Sequence, residues 1–479
     1  MEKSLIYRTV AFVAGFVLMT FELVAARLLA PTIGTSIFVW TNVLGVIMAA
    51  LALGYWLGGR LADKRKEELD IVWLLVSVAA TIIFVLVAGD GIVTIGLRLF
   101  SDARWQGLFV ALLLFAAPSL LLGMLSPYLA KFAITSTKSS GNAVAGLSTA
   151  NAIGSILGTF LTGFVLFGLI GGQTILIVLA AITIGASWLV APKELWKLRV
   201  VISAFALLAA IFPVMRPDAG AITIDTASAR YIVKQENWWE NGREITTLRA
   251  GPRGIQSAVY TDGSYDLVFW YHQQMLNAIA RLHDRNDTFS VLILGGGAFT
   301  VPDHVARDYP NAQVDVVEID PELFKIAQEY FGVQDLPNLK VYAEDARSFV
   351  RRSEKTYDFI LVDVFHDISM PWQFATREFG DAAVGLLSRD GVLAINMIGA
   401  QEGGCARIYD AVYGIYARHL PHRYYSKEWP DPTMVSSLEL FFSWRPLPEL
   451  GLTRLDKEVG VIYTDRFAPI EHLLLQCYR

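Results

Sequence analysis

The stretch "VLILGGGAFTVPDHVARDYPNAQVDVVEID", Val291–Asp320, decides the fold of the second half of the chain. Val291–Leu294 is a short run of apolar residues, as expected of a strand buried on both faces. Gly295, Gly296 and Gly297 end it, and without side chains they let the backbone approach a ligand closely. A short helical stretch follows, and "QVDVVEID" then predicts a second strand that stops at acids. Strand, glycine turn, helix, strand is the outline of a nucleotide-binding unit.

Downstream, "LKVYAED" and "YDFILVDVF" read as further strands, with helical stretches such as "PELFKIAQEYF" between. Short Val-, Ile- and Leu-rich runs separated by helices imply a parallel sheet covered on both faces, which binds its ligand outside the carboxyl ends of the strands. Four such ends are polar. The glycines follow the first strand, and Glu318 closes the second about twenty residues on, where an acid can accept both ribose hydroxyls. Asp345 follows the third, where its carboxylate and the backbone N–H of Ala346 could read an adenine edge. Asp363 follows the fourth, with His366 and Asp367 close behind. Upstream, "YIVKQEN", "REITTLRA" and "SAVYTD" predict a small antiparallel sheet, and "WYHQQMLNAIARLH" a helix.

The first half is of a different kind. The 479 residues are 54% hydrophobic and 18% charged, but charges are sparse up to about Arg216 and ordinary beyond it. The shift divides the chain into a helical segment at 1–216, a small β segment at 217–285 and a Rossmann-like segment at 286–479. Runs long enough to cross a bilayer fall near 9–29, 37–57, 71–89, 106–125, 145–168, 172–191 and 199–215, seven in all. Gly54 with Gly58, and Gly154 with Gly158, have the four-residue spacing of close helix packing in lipid. Glu22, Arg27, Asn42 and Asn151 are the polar groups within spans, with the asparagines suited to interhelical hydrogen bonds.

Lys and Arg cluster at the amino terminus and in alternate loops, which puts the amino terminus in the cytoplasm. Seven spans would then place the second half outside, whereas an adenosyl cofactor is a cytoplasmic metabolite. The net charge of −5 argues against nucleic acid as a partner. Cys405 and Cys477 are too few and too far apart to predict a metal cluster or a disulfide framework. The first apolar segment is as long as a span and lacks a small-x-small cleavage site, so no cleavable signal peptide is expected.

The succession "GGG", "VEID", "EDAR" and "VDVF" after successive strands resembles the spermidine synthase (polyamine aminopropyltransferase) family. "SARYI", "IQS" and "WYHQQML" look like worn versions of that family's upstream motifs. The apolar half resembles the spans of bacterial proteins in which such a domain is fused to membrane helices. The resemblance implies an α-helical transmembrane bundle followed by an α/β Rossmann-like aminopropyltransferase or methyltransferase fold. It implies a multi-pass protein of the bacterial inner membrane, with the lipid bilayer as a partner and a homodimer as the candidate assembly. It also implies transfer of an aminopropyl group from decarboxylated S-adenosylmethionine to a polyamine or other small amine, without a metal. On that precedent Asp363 deprotonates the attacking amine. Gly295, Gly296, Gly297, Glu318, Asp345 and Ala346 hold the nucleoside, and Tyr231, Gln256, Tyr271, His272, His366 and Asp367 face the amine.

Departures from the family pattern fall where cations should bind. The usual "GGGDGG" reads "GGGAFT", with Ala298 in place of an aspartate. D-x-x-D reads "DVFH", with His366 in the second acid's place, and the "YHE" element reads "YHQ", ending on Gln273. These losses leave two other readings: a methyltransferase using S-adenosylmethionine, and a non-catalytic nucleoside- or polyamine-binding sensor.

Overall fold

The computed structural model describes residues 2–33, 37–65, 67–100, 102–134, 140–192, 200, 220–226, 228–250, 254–365, 370–470 and 472–473. It separates into two compact units, Met1–Ala219 with Ile224–Arg230, and Gly220–Thr223 with Tyr231–Arg479.

The first unit holds α1 (Glu2–Ile33), α2 (Ile37–Lys64), α3 (Leu69–Leu99), α4 (Ala103–Ala133), α5 (Ser140–Leu161, continued by a π-helical turn at Thr162–Leu166) and α6 (Gly172–Val190). Among the described residues these six are the helices long and apolar enough to cross a membrane. The expected seventh span at 199–215 lies, apart from Val200, outside the described residues.

Close approach of backbones explains the glycine pairs. A Cβ on Gly54 would stand 2.2 Å from the Leu120 carbonyl oxygen, and one on Gly58 would meet the Met124 backbone at 2.7 Å, so α2 lies directly on α4. Gly154 and Gly158 seat α5 on α1 in the same way, against the carbonyl oxygens of Phe12 and Phe16. Asn42 donates to the Arg104 carbonyl at 2.8 Å and Asn151 to that of Ala11 at 3.2 Å, both between helices as expected. Arg27, over the Phe167 ring at 4.2 Å, donates to the carbonyls of Thr226 and Ala229.

After the helices comes an antiparallel sheet in the order β1-β2-β3-β4: β1 (Ala221–Asp225), β2 (Arg230–Asn237), β3 (Glu244–Arg249) and β4 (Ser257–Tyr260). Helix α7 (Trp270–Leu282) leads into the main sheet. Its parallel part comprises β5 (Ser290–Leu294), β6 (Gln313–Glu318), β7 (Leu339–Ala343), β8 (Tyr357–Val362) and β9 (Leu387–Gly399). Helices α8 (Thr300–Asp308), α9 (Leu323–Tyr330), α10 (Ala346–Arg352) and α11 (Arg377–Gly385) connect these strands in turn, and α12 (Ala406–Ala417) follows β9. Antiparallel β10 (His422–Lys427), β11 (Ser436–Ser443) and β12 (Thr453–Arg454) complete the order β12-β10-β11-β9-β8-β5-β6-β7.

Val291, Leu292, Ile293 and Leu294 of β5 are all buried, as a central strand between β6 and β8 requires. The chain winds outward from β5 to β6 and β7, then returns to the other side with β8. The topological switch point therefore lies between β5 and β8, where a doubly wound sheet opens a ligand crevice. Contrary to the reading of the cysteines, Cys405 is disulfide-bonded; the chain's other cysteine, Cys477, lies outside the described residues.

Candidate functional site

Gly295 leaves β5 at φ +94°, a conformation that L side chains rarely adopt. A Cβ there would stand 2.1 Å from the Asp363 carbonyl oxygen, so the glycine turn and the end of β8 touch at the switch point. A Cβ on Gly297, at φ +52°, would stand 2.8 Å from the Ser257 hydroxyl oxygen, and Ser257 Oγ accepts from the Ala298 N–H at 2.8 Å. That bond ties the loop to β4, beside Gln256. Phe299 is fully buried at φ +57°, so a bulky residue occupies a backbone conformation normally left to glycine.

Glu318 spans the mouth of this turn. Its Oε2 accepts from the Gly296 N–H at 2.8 Å and its Oε1 from the Asp320 N–H at 3.0 Å. Each carboxylate oxygen keeps a second lone pair for a hydroxyl. Burial raises its carboxyl above the ordinary range, and the two backbone bonds pull the other way. Asp345 begins α10 as its N-cap, accepting from the Ser348 N–H at 2.8 Å, and Ala346 is buried behind it. A backbone bond from Glu344 N–H to the Glu318 carbonyl, 3.0 Å, holds this turn beside Glu318.

Asp363 follows β8, its backbone N–H bonded to the Leu294 carbonyl at 2.9 Å. Burial pushes its carboxyl up to about 6, while a 2.8 Å hydrogen bond from Asn396 Nδ2 to Oδ1 draws it down. Tyr271 of α7 senses this acid: burial first, then the charge of Asp363, raises its phenol. His272 packs beside Tyr271, ring centroids 4.2 Å apart, and burial lowers its imidazole to about 3, so it is neutral at physiological pH.

The structure thus brings Gly295, Gly296, Gly297, Glu318, Asp345, Ala346 and Asp363 to one end of the sheet. Tyr271 and His272 come from α7 and Gln256 from beside the loop. Tyr231 is buried within β2 of the small sheet. His366 and Asp367 lie outside the described residues. Sequence reading did not single out Asn396, Ser257 or Glu439. Asn396 lies in "GVLAIN", where a polar residue after an apolar run was the available signal. Among the described residues no group of three or more His, Cys, Asp or Glu could hold a metal ion.

Residues 268–399 match the spermine/spermidine synthase domain family. The polyamine aminopropyltransferase of Vibrio vulnificus is 35% identical over 153 residues, covering 31% of this chain and 50% of that protein. An N-terminal histidine N-methyltransferase of Emericella nidulans is 40% identical over 116 residues, 23% of this chain and 20% of that one. The chain spans half or less of the length of these two curated relatives. A solved spermidine synthase in complex with the transition-state analogue AdoDATO aligns over 53% of this chain and 82% of its own, at 16% identity and a TM-score of 0.36. The matched segment, 268–399, holds the glycine turn, Glu318, Asp345 and Asp363, the strand-end positions that carry the resemblance to that family.

Proposed function

From the match of residues 268–399 to the spermine/spermidine synthase domain family, we propose that the chain is a membrane-integral aminopropyltransferase using decarboxylated S-adenosylmethionine and a di- or polyamine. The carrying observation is Asp363 at the switch point, its carboxyl pushed up to about 6 and oriented by Asn396. In the reaction the neutral amine nitrogen attacks the methylene carbon bound to the sulfonium. The C–N bond forms as the C–S bond breaks, methylthioadenosine leaves with the electron pair on sulfur, and the nitrogen's proton passes to Asp363. Glu318 holds the ribose hydroxyls, and Asp345 with the Ala346 N–H reads the adenine edge. The bare backbone of Gly295, Gly296 and Gly297 runs beside the nucleoside. Tyr231, Gln256, Tyr271, His272, His366 and Asp367 form the amine side.

Purified full-length protein supplied with decarboxylated S-adenosylmethionine and putrescine is expected to release methylthioadenosine. A methyltransferase is the second reading, favoured by the fully buried Ala298, which offers no acid to an aminopropyl ammonium, and by the similarity to an N-methyltransferase. Adenosylhomocysteine formed from S-adenosylmethionine would establish it instead. Neither product with any amine would leave a binding domain.

The proposal places the soluble half in the cytoplasm of a bacterial inner-membrane protein. With the amino terminus inside, that requires an even number of crossings; the six described apolar helices support this count, and segment 199–215 must then not cross. A carboxyl-terminal reporter is expected on the cytoplasmic side. A reporter found outside, the side favoured by a disulfide at Cys405, would remove the supply of the aminopropyl donor and sink the proposal.

A further inference from the structure

Leu438, Leu440 and Phe442 of β11 pack into the core beneath the sheet, so the alternating residues Glu439 and Phe441 face the opposite side. Glu439 is paired in register with Asn396 of β9, and Asn396 in turn holds Asp363 at the end of β8. Glu439, Asn396 and Asp363 therefore form a row across three neighbouring strands.

Glu439 is 0% exposed, and among the described residues neither of its carboxylate oxygens has a hydrogen-bond partner. Asn396 Oδ1, between the two acids, also lacks one. A carboxylate withdrawn from water with no partner is costly, and buried charges in proteins are normally paired. Burial holds the Glu439 carboxyl well above the usual range, and the charges of Glu428 and Asp363 add to it. Tyr271, which senses both Asp363 and Glu439, lies close to the pair. Among the described residues the charges that act on Glu439, those of Glu428 and Asp363, are both negative, which suits a cation supplied by a ligand.

We propose that Glu439 receives the charged end of a short linear diamine whose neutral end lies at Asp363. The proposal rests on the aminopropyltransferase reading and names the acceptor class and its anchoring residue. Two strand spacings separate the backbones that carry the two acids, roughly 10 Å. A diamine of a few methylenes fits within that gap, with Asn396 Oδ1, unpartnered between the two acids, as an additional acceptor along its length. The acid comes from an antiparallel strand distant in sequence from the strand-end motifs. It supplies a cation site that the sequence lost at Ala298 and His366.

The test uses full-length protein in detergent, with calorimetry of putrescine binding in saturating methylthioadenosine. Wild type is expected to bind, and Glu439→Gln, which keeps the shape and removes the charge, to bind at least tenfold more weakly with methylthioadenosine affinity unchanged. Glu439→Leu adds a second readout. Without ligand its unfolding temperature is expected to equal or exceed that of wild type, since a buried unpaired acid has been removed, and putrescine should no longer raise it. Equal putrescine affinity in wild type and Glu439→Gln overturns the proposal, as does absence of putrescine binding in a wild type that binds methylthioadenosine. A Glu439→Leu variant destabilised without ligand would also overturn it, by showing a structural acid. Failure of wild type to bind methylthioadenosine would instead strike the nucleoside reading on which the proposal stands.

Discussion

Gly154 in the helical unit and Gly295 in the soluble unit meet the same obstacle: a Cβ would lie 2.0 Å from the Phe12 carbonyl oxygen in one and 2.1 Å from that of Asp363 in the other. The physics differs. Gly154 sits in ordinary helical geometry and needs only closeness, which Gly158 repeats one turn on against Phe16. Gly295 also needs φ +94°, stands alone at the switch point, and has the proposed base beside it. In the helical unit the missing side chain distributes packing along two helices, whereas in the soluble unit it concentrates geometry at one place. Damage to the first should lower stability by degrees; damage around the second should abolish chemistry while the fold survives.

The largest expected effect tests that contrast at Asp363. Asp363→Asn keeps the shape but cannot take the amine proton, so turnover should fall ~100-fold or more, the usual worth of a positioned general base. Methylthioadenosine affinity and the unfolding temperature should stay near wild type. The sign of the pH dependence follows from the same group. The base must be the carboxylate, and burial places its titration at about 6, so kcat/KM should be full above that pH and fall below it. Asn396→Ala removes the bond that draws the carboxyl down and should move this acidic limb upward. A limb that stays in place in Asn396→Ala would dissociate it from Asp363.

Next in size is the nucleoside grip. Glu318→Ala removes an acceptor of both backbone and expected ribose hydrogen bonds, and losing a charged hydrogen bond costs roughly 1.5–3 kcal/mol. Calorimetry with methylthioadenosine should show weaker binding of that order. Unchanged affinity would mean that the switch-point crevice is not where a nucleoside binds.

The helical unit should respond through stability. Gly154→Leu forces α5 away from α1, and overpacking of this kind typically costs ~1–3 kcal/mol. Thermal unfolding in detergent should detect the loss, with methylthioadenosine affinity of the soluble unit retained. A parallel loss of affinity would break the division of labour between the two kinds of glycine.

What could be read in advance follows the same line. The glycine turn, Glu318, Asp345 and Asp363 were legible because a doubly wound sheet places its polar groups at strand ends, a feature local in sequence. The small-residue pairs and the two asparagines were legible because helical spacing is local too. Asn396 and Glu439 were not, because their meaning arises only when β9 is flanked by β8 on one side and β11 on the other. An acid inside "SSLELFF" reads as the solvent face of an edge strand, whereas β11 lies between β10 and β9 and Glu439 is fully buried. Phe299 shows a further limit. "GGGAFT" gives no sign that its phenylalanine would adopt the left-handed conformation and be fully buried.

The smallest expected effect concerns Asn42, whose side chain donates to the Arg104 carbonyl at 2.8 Å across α2 and α4. Interhelical polar bonds in lipid average about 0.6 kcal/mol, because the separated helices also find partners for their polar groups. Asn42→Leu should therefore lower the stability of the helical unit by about that amount, well below the cost of Gly154→Leu. The order matters more than the value. If α2 and α4 are held chiefly by the backbone contact that Gly54 and Gly58 permit, removing one hydrogen bond leaves the contact in place. An Asn42→Leu loss equal to that of Gly54→Leu, measured by thermal unfolding in the same detergent, would show polar bonding rather than glycine packing to be the main tie between these helices.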